Sequence, residues 1–113
     1  MYKVSLNRVH DTVRISEGEE HIELRVDGDA MRIMAGLNQA QKMLSGLNEQ
    51  SGEDAMRDAA LYFAGAIFGH NQAQALLCFY NGDPACVVNV CGRYFSGRLA
   101  KLIEKAQKKA KTK

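Results

Sequence analysis

Residues 12–47 read TVRISEGEEHIELRVDGDAMRIMAGLNQAQKMLSGL, and the fold turns on a change of period inside them. From Thr12 to Val26, apolar side chains take alternate positions on either side of a break: Val13 and Ile15, then Ile22, Leu24 and Val26. A period of two belongs to a strand with one dry face and one wet face. The break is Glu17-Gly18-Glu19, where Gly18 can adopt the positive φ of a tight turn, so the stretch predicts a β-hairpin. After Asp27-Gly28-Asp29 the period becomes helical. Ile33, Leu37, Ala40, Leu44 and Leu47 recur at spacings of 4, 3, 4 and 3, with Asp29 placed to cap the first free amides. A helix over 30–48 is expected, and a hairpin too small to stand alone must lay its apolar face on helices.

Working outward, residues 2–9 offer a further extended segment. Ser51 and Asp54 resemble a capping box, and Met56, Ala59, Ala60, Phe63 and Ile67 form a helical stripe that stops at Gly69, giving a helix over 53–68. Asn71 is suited to cap a short third helix carrying Ala73, Leu76, Leu77 and Tyr80, which Asn81-Gly82 ends. Asp83-Pro84 opens a fourth, with Asp as N-cap and Pro at the first helical position. Val87, Val88, Cys91, Phe95, Leu99 and Leu102 continue it. Gly92 and Gly97 cost about 1 kcal/mol each in a helix interior, which favours a kink or break between 92 and 97. The expected fold is α+β, mostly α-helical: an N-terminal β-hairpin followed by about four helices in one domain, 1–113. Its parts are a hairpin region (1–28), a helical region (29–106) and a frayed basic tail (107–113).

Composition narrows the function classes. Hydrophobic residues make up 46% and charged residues 25%, as in an ordinary globular domain rather than a disordered chain. No apolar run approaches the ~18 residues of a membrane helix, and the alternating polar start is not a secretion signal. A cytoplasmic setting follows, with Cys78, Cys86 and Cys91 expected as buried, reduced thiols. The net charge of +2 hides a segregation: residues 98–113 carry +6 and residues 1–97 carry −4.

Catalytic and metal-binding patterns do not emerge. His10, His21 and His70 are dispersed, with no nucleophile placed beside them. His21 falls on the polar strand face, and His70 falls just past a helix end, where an imidazolium would suit the dipole. Cys86 and Cys91 lie five apart on a helix and so on different faces, and no paired zinc spacing exists. Glu17, Glu19, Glu20 and Glu23 form a solvated turn without the spacing of a calcium loop. Gly92 to Arg98 has the glycine spacing of a phosphate loop, but Leu99 stands where magnesium needs a hydroxyl, and a helix fits better. No enzyme, metal or cofactor is expected.

Two surfaces remain. Arg98, Lys101, Lys105, Lys108 and Lys109 form an electrostatic patch, read mainly as a solvated helix end that steers an acidic partner. The alternative is a small nucleic-acid-binding or regulatory protein using this helix. No aromatic side chain interleaves the lysines, and the acidic body would repel a strand. The second surface is apolar. Met31, Met34, Phe68, Leu76, Leu77 and Tyr80 are the candidates for binding a partner or for self-association.

Taken in order, the hairpin, the long amphipathic helix, Ala66-Ile67-Phe68-Gly69, then Asn71-Gln72-Ala73-Gln74-Ala75-Leu76-Leu77 and a lysine-rich last helix resemble the small tail assembly chaperones of long-tailed bacteriophages of Gram-positive hosts. The likeness in layout covers about residues 20–110, and the motif itself covers 66–77. The chain departs from that group at His70 and Asn71, where an acidic residue and a glycine are frequent, and the Tyr80–Cys86 stretch has no clear counterpart. The resemblance implies a non-enzymatic protein of the host cytoplasm during phage assembly. Its partners would be a tape-measure protein, whose apolar helices it covers, and a tail tube protein.

Overall fold

The computed structural model describes residues 8–112, with side-chain surroundings over 8–107. The further segment expected at 2–9 therefore lies outside the described residues, except for its last two. These two open strand β1, Arg8–Glu17, which pairs antiparallel with β2, Glu20–Asp29, from Arg8↔Asp29 to Glu17↔Glu20. Gly18 and Glu19 form the connection, and Gly18 has φ 63°. The alternation works as expected. Leu24 and Val26 are buried and Val13, Ile15 and Ile22 pack partly against the core, while the opposite face is exposed.

Helix α1, Ala30–Ser45, starts where Asp29 accepts a hydrogen bond from the Met31 amide at 2.9 Å. It ends three residues before the expected 48. The Leu47 amide turns back to the Leu44 carbonyl at 3.2 Å, which closes a tighter turn just after Gly46. Helix α2, Gly52–Phe68, does not use the capping box: Ser51 makes no cap bond. Its hydroxyl accepts from the Asn48 amide at 2.9 Å, so the connector consumes it. Glu53 and Asp54 instead put negative charge at the helix start, where the dipole favours it.

Gly69 ends α2 as expected, although at φ 90° and ψ 161° it lies outside the left-handed helical region, in territory open almost only to glycine. That one residue joins two helices, because α3 runs His70–Phe79. Asn71 is therefore inside α3 and caps nothing, and His70 occupies the first turn of α3, where the dipole opposes a positive charge. Asn81, at φ 58°, and Gly82 close α3 with paired bonds, Gly82 amide to Leu77 carbonyl at 2.8 Å and Asn81 amide to Cys78 carbonyl at 3.0 Å.

Helix α4, Pro84–Tyr94, opens as expected, with Asp83 accepting from the Ala85 amide at 3.0 Å. It continues through a π-helical turn, Phe95–Leu99, into α5, Ala100–Thr112. The predicted irregularity is thus a wider turn rather than a break. The backbone stays helical past Ala106 as far as Thr112, over the described part of the segment expected to fray. The result is an α+β chain, mostly α, with a hairpin and four helical segments, the last continuous from Pro84 to Thr112. Its core joins Leu24 and Val26 to Ile33, Ala60, Ala64, Phe68, Leu76, Val87, Leu99 and Ile103. Helix α2 lies against α1, α3, α4 and β2.

Candidate functional site

One polar cluster joins β1 to the last helical segment. Asp11 lies between Val9 and Val13, on the inward face of β1, and its side chain is only 8% exposed. Arg98 grips it with two bonds, Nε to Oδ2 at 2.6 Å and Nη2 to Oδ1 at 3.0 Å, and the Tyr94 hydroxyl donates to Oδ2 at 2.7 Å. Arg98 therefore holds the carboxyl below the usual carboxylate range, helped by Tyr94, with burial opposing both. The Tyr94 hydroxyl is pushed up, first by burial and then by its bond to Asp11. A carboxylate held by three donors and a phenol held protonated form a clamp, and a carboxyl kept below the usual range is a weakened base.

Cys86 and Cys91 are no more activated. Burial pushes Cys91 up to about 12, and a bond to Asp83 raises Cys86. Cys78 is exposed and Cys86 is half-buried, so the expectation of three buried thiols holds only for Cys91. Among the described residues, no three His, Cys, Asp or Glu side chains come together as metal ligands. No helix among them is long and apolar enough to cross a membrane.

The apolar candidates divide. Phe68, Leu76 and Leu77 are 5%, 0% and 8% exposed, so they form core rather than a surface for a partner. Phe68 stacks on Tyr94 with ring centroids 5.8 Å apart. The reason is the one-residue joint at Gly69, which folds α3 back so that the apolar faces of both helices turn inward. Met34 and Tyr80 are half-buried and pack against the core. Only Met31 stands out, at 59% exposure, with Gln107 Nε2 3.5 Å from its sulfur. In the basic set, Arg98 is committed to Asp11, Lys101 and Lys105 are exposed, and the side chains of Lys108 and Lys109 lie outside the described residues.

The structure adds two surfaces. A trough of about 200 Å³ between α1, α2 and the π-helical turn is lined by Leu37, Ala40, Gln41, Leu44, Phe63 and Phe95, nearly all apolar. A wider groove of about 860 Å³ runs beside β2, over the place where α1 and α2 meet, with Arg25, Arg32, Tyr62 and His70 in its walls. At one end Gln72 closes the sheet edge. Its carboxamide accepts from the Arg25 amide at 2.7 Å and donates to the Arg25 carbonyl at 2.8 Å, as a neighbouring strand would. Comparison with protein-family models, with curated proteins and with solved structures finds no match.

Proposed function

We propose that the chain is a non-enzymatic tail assembly chaperone of a long-tailed bacteriophage, which covers apolar helical segments of a tape-measure protein before the tail tube forms around them. The observation that carries this reading is the trough lined by Leu37, Ala40, Leu44, Phe63 and Phe95. A furrow between two helices, with apolar walls, suits a third helix laid into it by its apolar face. The order of elements supports the same reading, because the hairpin, the long helix, the Gly69 stop and the final helix stand in the sequence the resemblance implies. The binding face moves accordingly, from Phe68, Leu76 and Leu77 to the trough and to Met31.

Co-expression with a candidate tape-measure protein from the same genome tests it. The expected outcome is a larger soluble fraction of that protein and co-purification, both reduced by Leu44→Glu in the trough. A tape-measure protein that stays insoluble and does not co-purify with the wild-type chain overturns the reading.

A further inference from the structure

We propose that the groove beside β2 receives the acidic hairpin tip of a second copy of this chain, giving head-to-tail association. This goes beyond the chaperone reading and does not rest on it. The groove is a built cleft, and its 860 Å³ falls within the range of about 300–1,000 Å³ typical of ligand clefts. Its charges are unbalanced. Of the two carboxylates in its wall, Asp27 is taken by Arg8 at 2.8 Å, and Asp29 caps α1. Arg25 and Arg32 remain, and among the described residues neither forms an ion pair.

Backbone groups point the same way. Arg25 gives its N–H and C=O to Gln72, so Thr12↔Arg25 is a pair that exchanges no hydrogen bonds within the hairpin. His10↔Asp27 shares that parity, which turns the Asp27 N–H and C=O outward, toward the groove that Asp27 lines. The cleft therefore presents two cations beside one open backbone position, Asp27, next to the edge that Gln72 closes at Arg25, and such a site attracts an acidic segment.

The chain itself carries that segment. Glu19 and Glu20 are exposed on the hairpin turn, and among the described residues neither forms an ion pair. Glu20 and Arg25 are five residues apart on one strand, or roughly 17 Å, so the tip cannot fold back into its own groove. Tip and groove lie at opposite ends of the hairpin. Their contact is heterologous, and it adds copies in series rather than closing a two-fold dimer.

Sedimentation velocity tests this with the full chain. The wild type is expected to gain mass with concentration at ~0.05 M salt and to lose about tenfold in association constant near 0.5 M, as screening shortens the reach of the charges. R25E/R32E and E19K/E20K alter exposed side chains only, so both should keep the wild-type circular dichroism melt. Each alone should be monomeric. Their equimolar mixture should associate again, because an intact tip on one meets an intact groove on the other. A monomeric wild type at low salt, association that survives in either variant, or a mixture that stays monomeric overturns the proposal.

Discussion

A Cβ placed on Gly36 would stand 2.7 Å from the Cβ of Ala66, closer than two such carbons pack. Helices α1 and α2 therefore approach as near as they do because one contact position is glycine. The groove lies over this contact, and both residues line it.

Gly36→Ala should destabilise the fold. Over-packing costs about 1–3 kcal/mol and the better helix propensity of Ala returns about 1, so a net loss of up to about 2 kcal/mol is expected in urea unfolding. Adding Ala66→Gly restores the space, and the double variant should lose less than the sum of the two single ones. Strict additivity would show that the helices do not touch here.

Phe68→Ala should cost about 3–5 kcal/mol, since the ring is buried and stacked on Tyr94. A loss under about 1 kcal/mol would place Phe68 on the surface and return it to the partner-binding set.

The clamp on Asp11 makes stability depend on pH. Its folded-state pKa is depressed, so the stabilisation is complete above the unfolded value of about 3.9 and is lost as pH falls through the folded one. Asp11→Asn should be less stable than wild type near neutrality, with the gap narrowing below about pH 4 as wild-type Asp11 takes up its proton. Tyr94 gives the opposite limb. Its raised pKa supplies stability that is present below about pH 10 and lost above it, and Tyr94→Phe should lack that loss. Unfolding midpoints across pH for the three proteins check both limbs.

Much of this fold was legible because short-range signals and packing agree. The change from period two to helical period at Asp27–Asp29 located the hairpin and α1, and Asp83-Pro84 located α4. What escaped was long-range. Ser51 has the chemistry of a cap, yet Asn48 three residues earlier competes for the same hydroxyl. Phe68, Leu76 and Leu77 have the pattern of an apolar face, and spacing alone cannot say whether such a face meets this chain or another. Asp11 did leave a signal. It sits at an inward position of the alternation Val9, Asp11, Val13, Ile15, where a carboxylate requires a partner brought from elsewhere in the chain. Gln72 left none, because a lone glutamine on a helix says nothing about the strand edge it satisfies.

Removing that glutamine isolates its role. Gln72→Ala frees the Arg25 amide and carbonyl, and it also ends the bond from Gln72 Nε2 to the Phe68 carbonyl. Groups left without partners cost about 1–3 kcal/mol when buried, and this site is partly wet, so a loss near 1 kcal/mol is expected. Hydrogen exchange gives the sharper reading: the Arg25 amide should lose protection while the Leu24 and Val26 amides, which bond to β1, keep theirs. Unchanged exchange at Arg25 would mean the contact does not persist in solution.

The three thiols report on the core without any substitution. Cys78 is exposed and should react first with iodoacetamide. Cys86 should lag, since its proton is held by Asp83 at 3.4 Å. Cys91 is fully buried with its thiol pushed up to about 12, so access and ionisation both oppose attack. Its alkylation therefore requires the packing around α4 to open, and the rate should follow global stability. Phe68→Ala should accelerate labelling of Cys91 by the factor its loss of stability implies, about tenfold for each 1.4 kcal/mol, and leave Cys78 unchanged. Mass spectrometry of peptides over a labelling time course resolves the three sites. Cys91 reacting as fast as Cys78 in the wild-type chain would show that α4 does not pack as described.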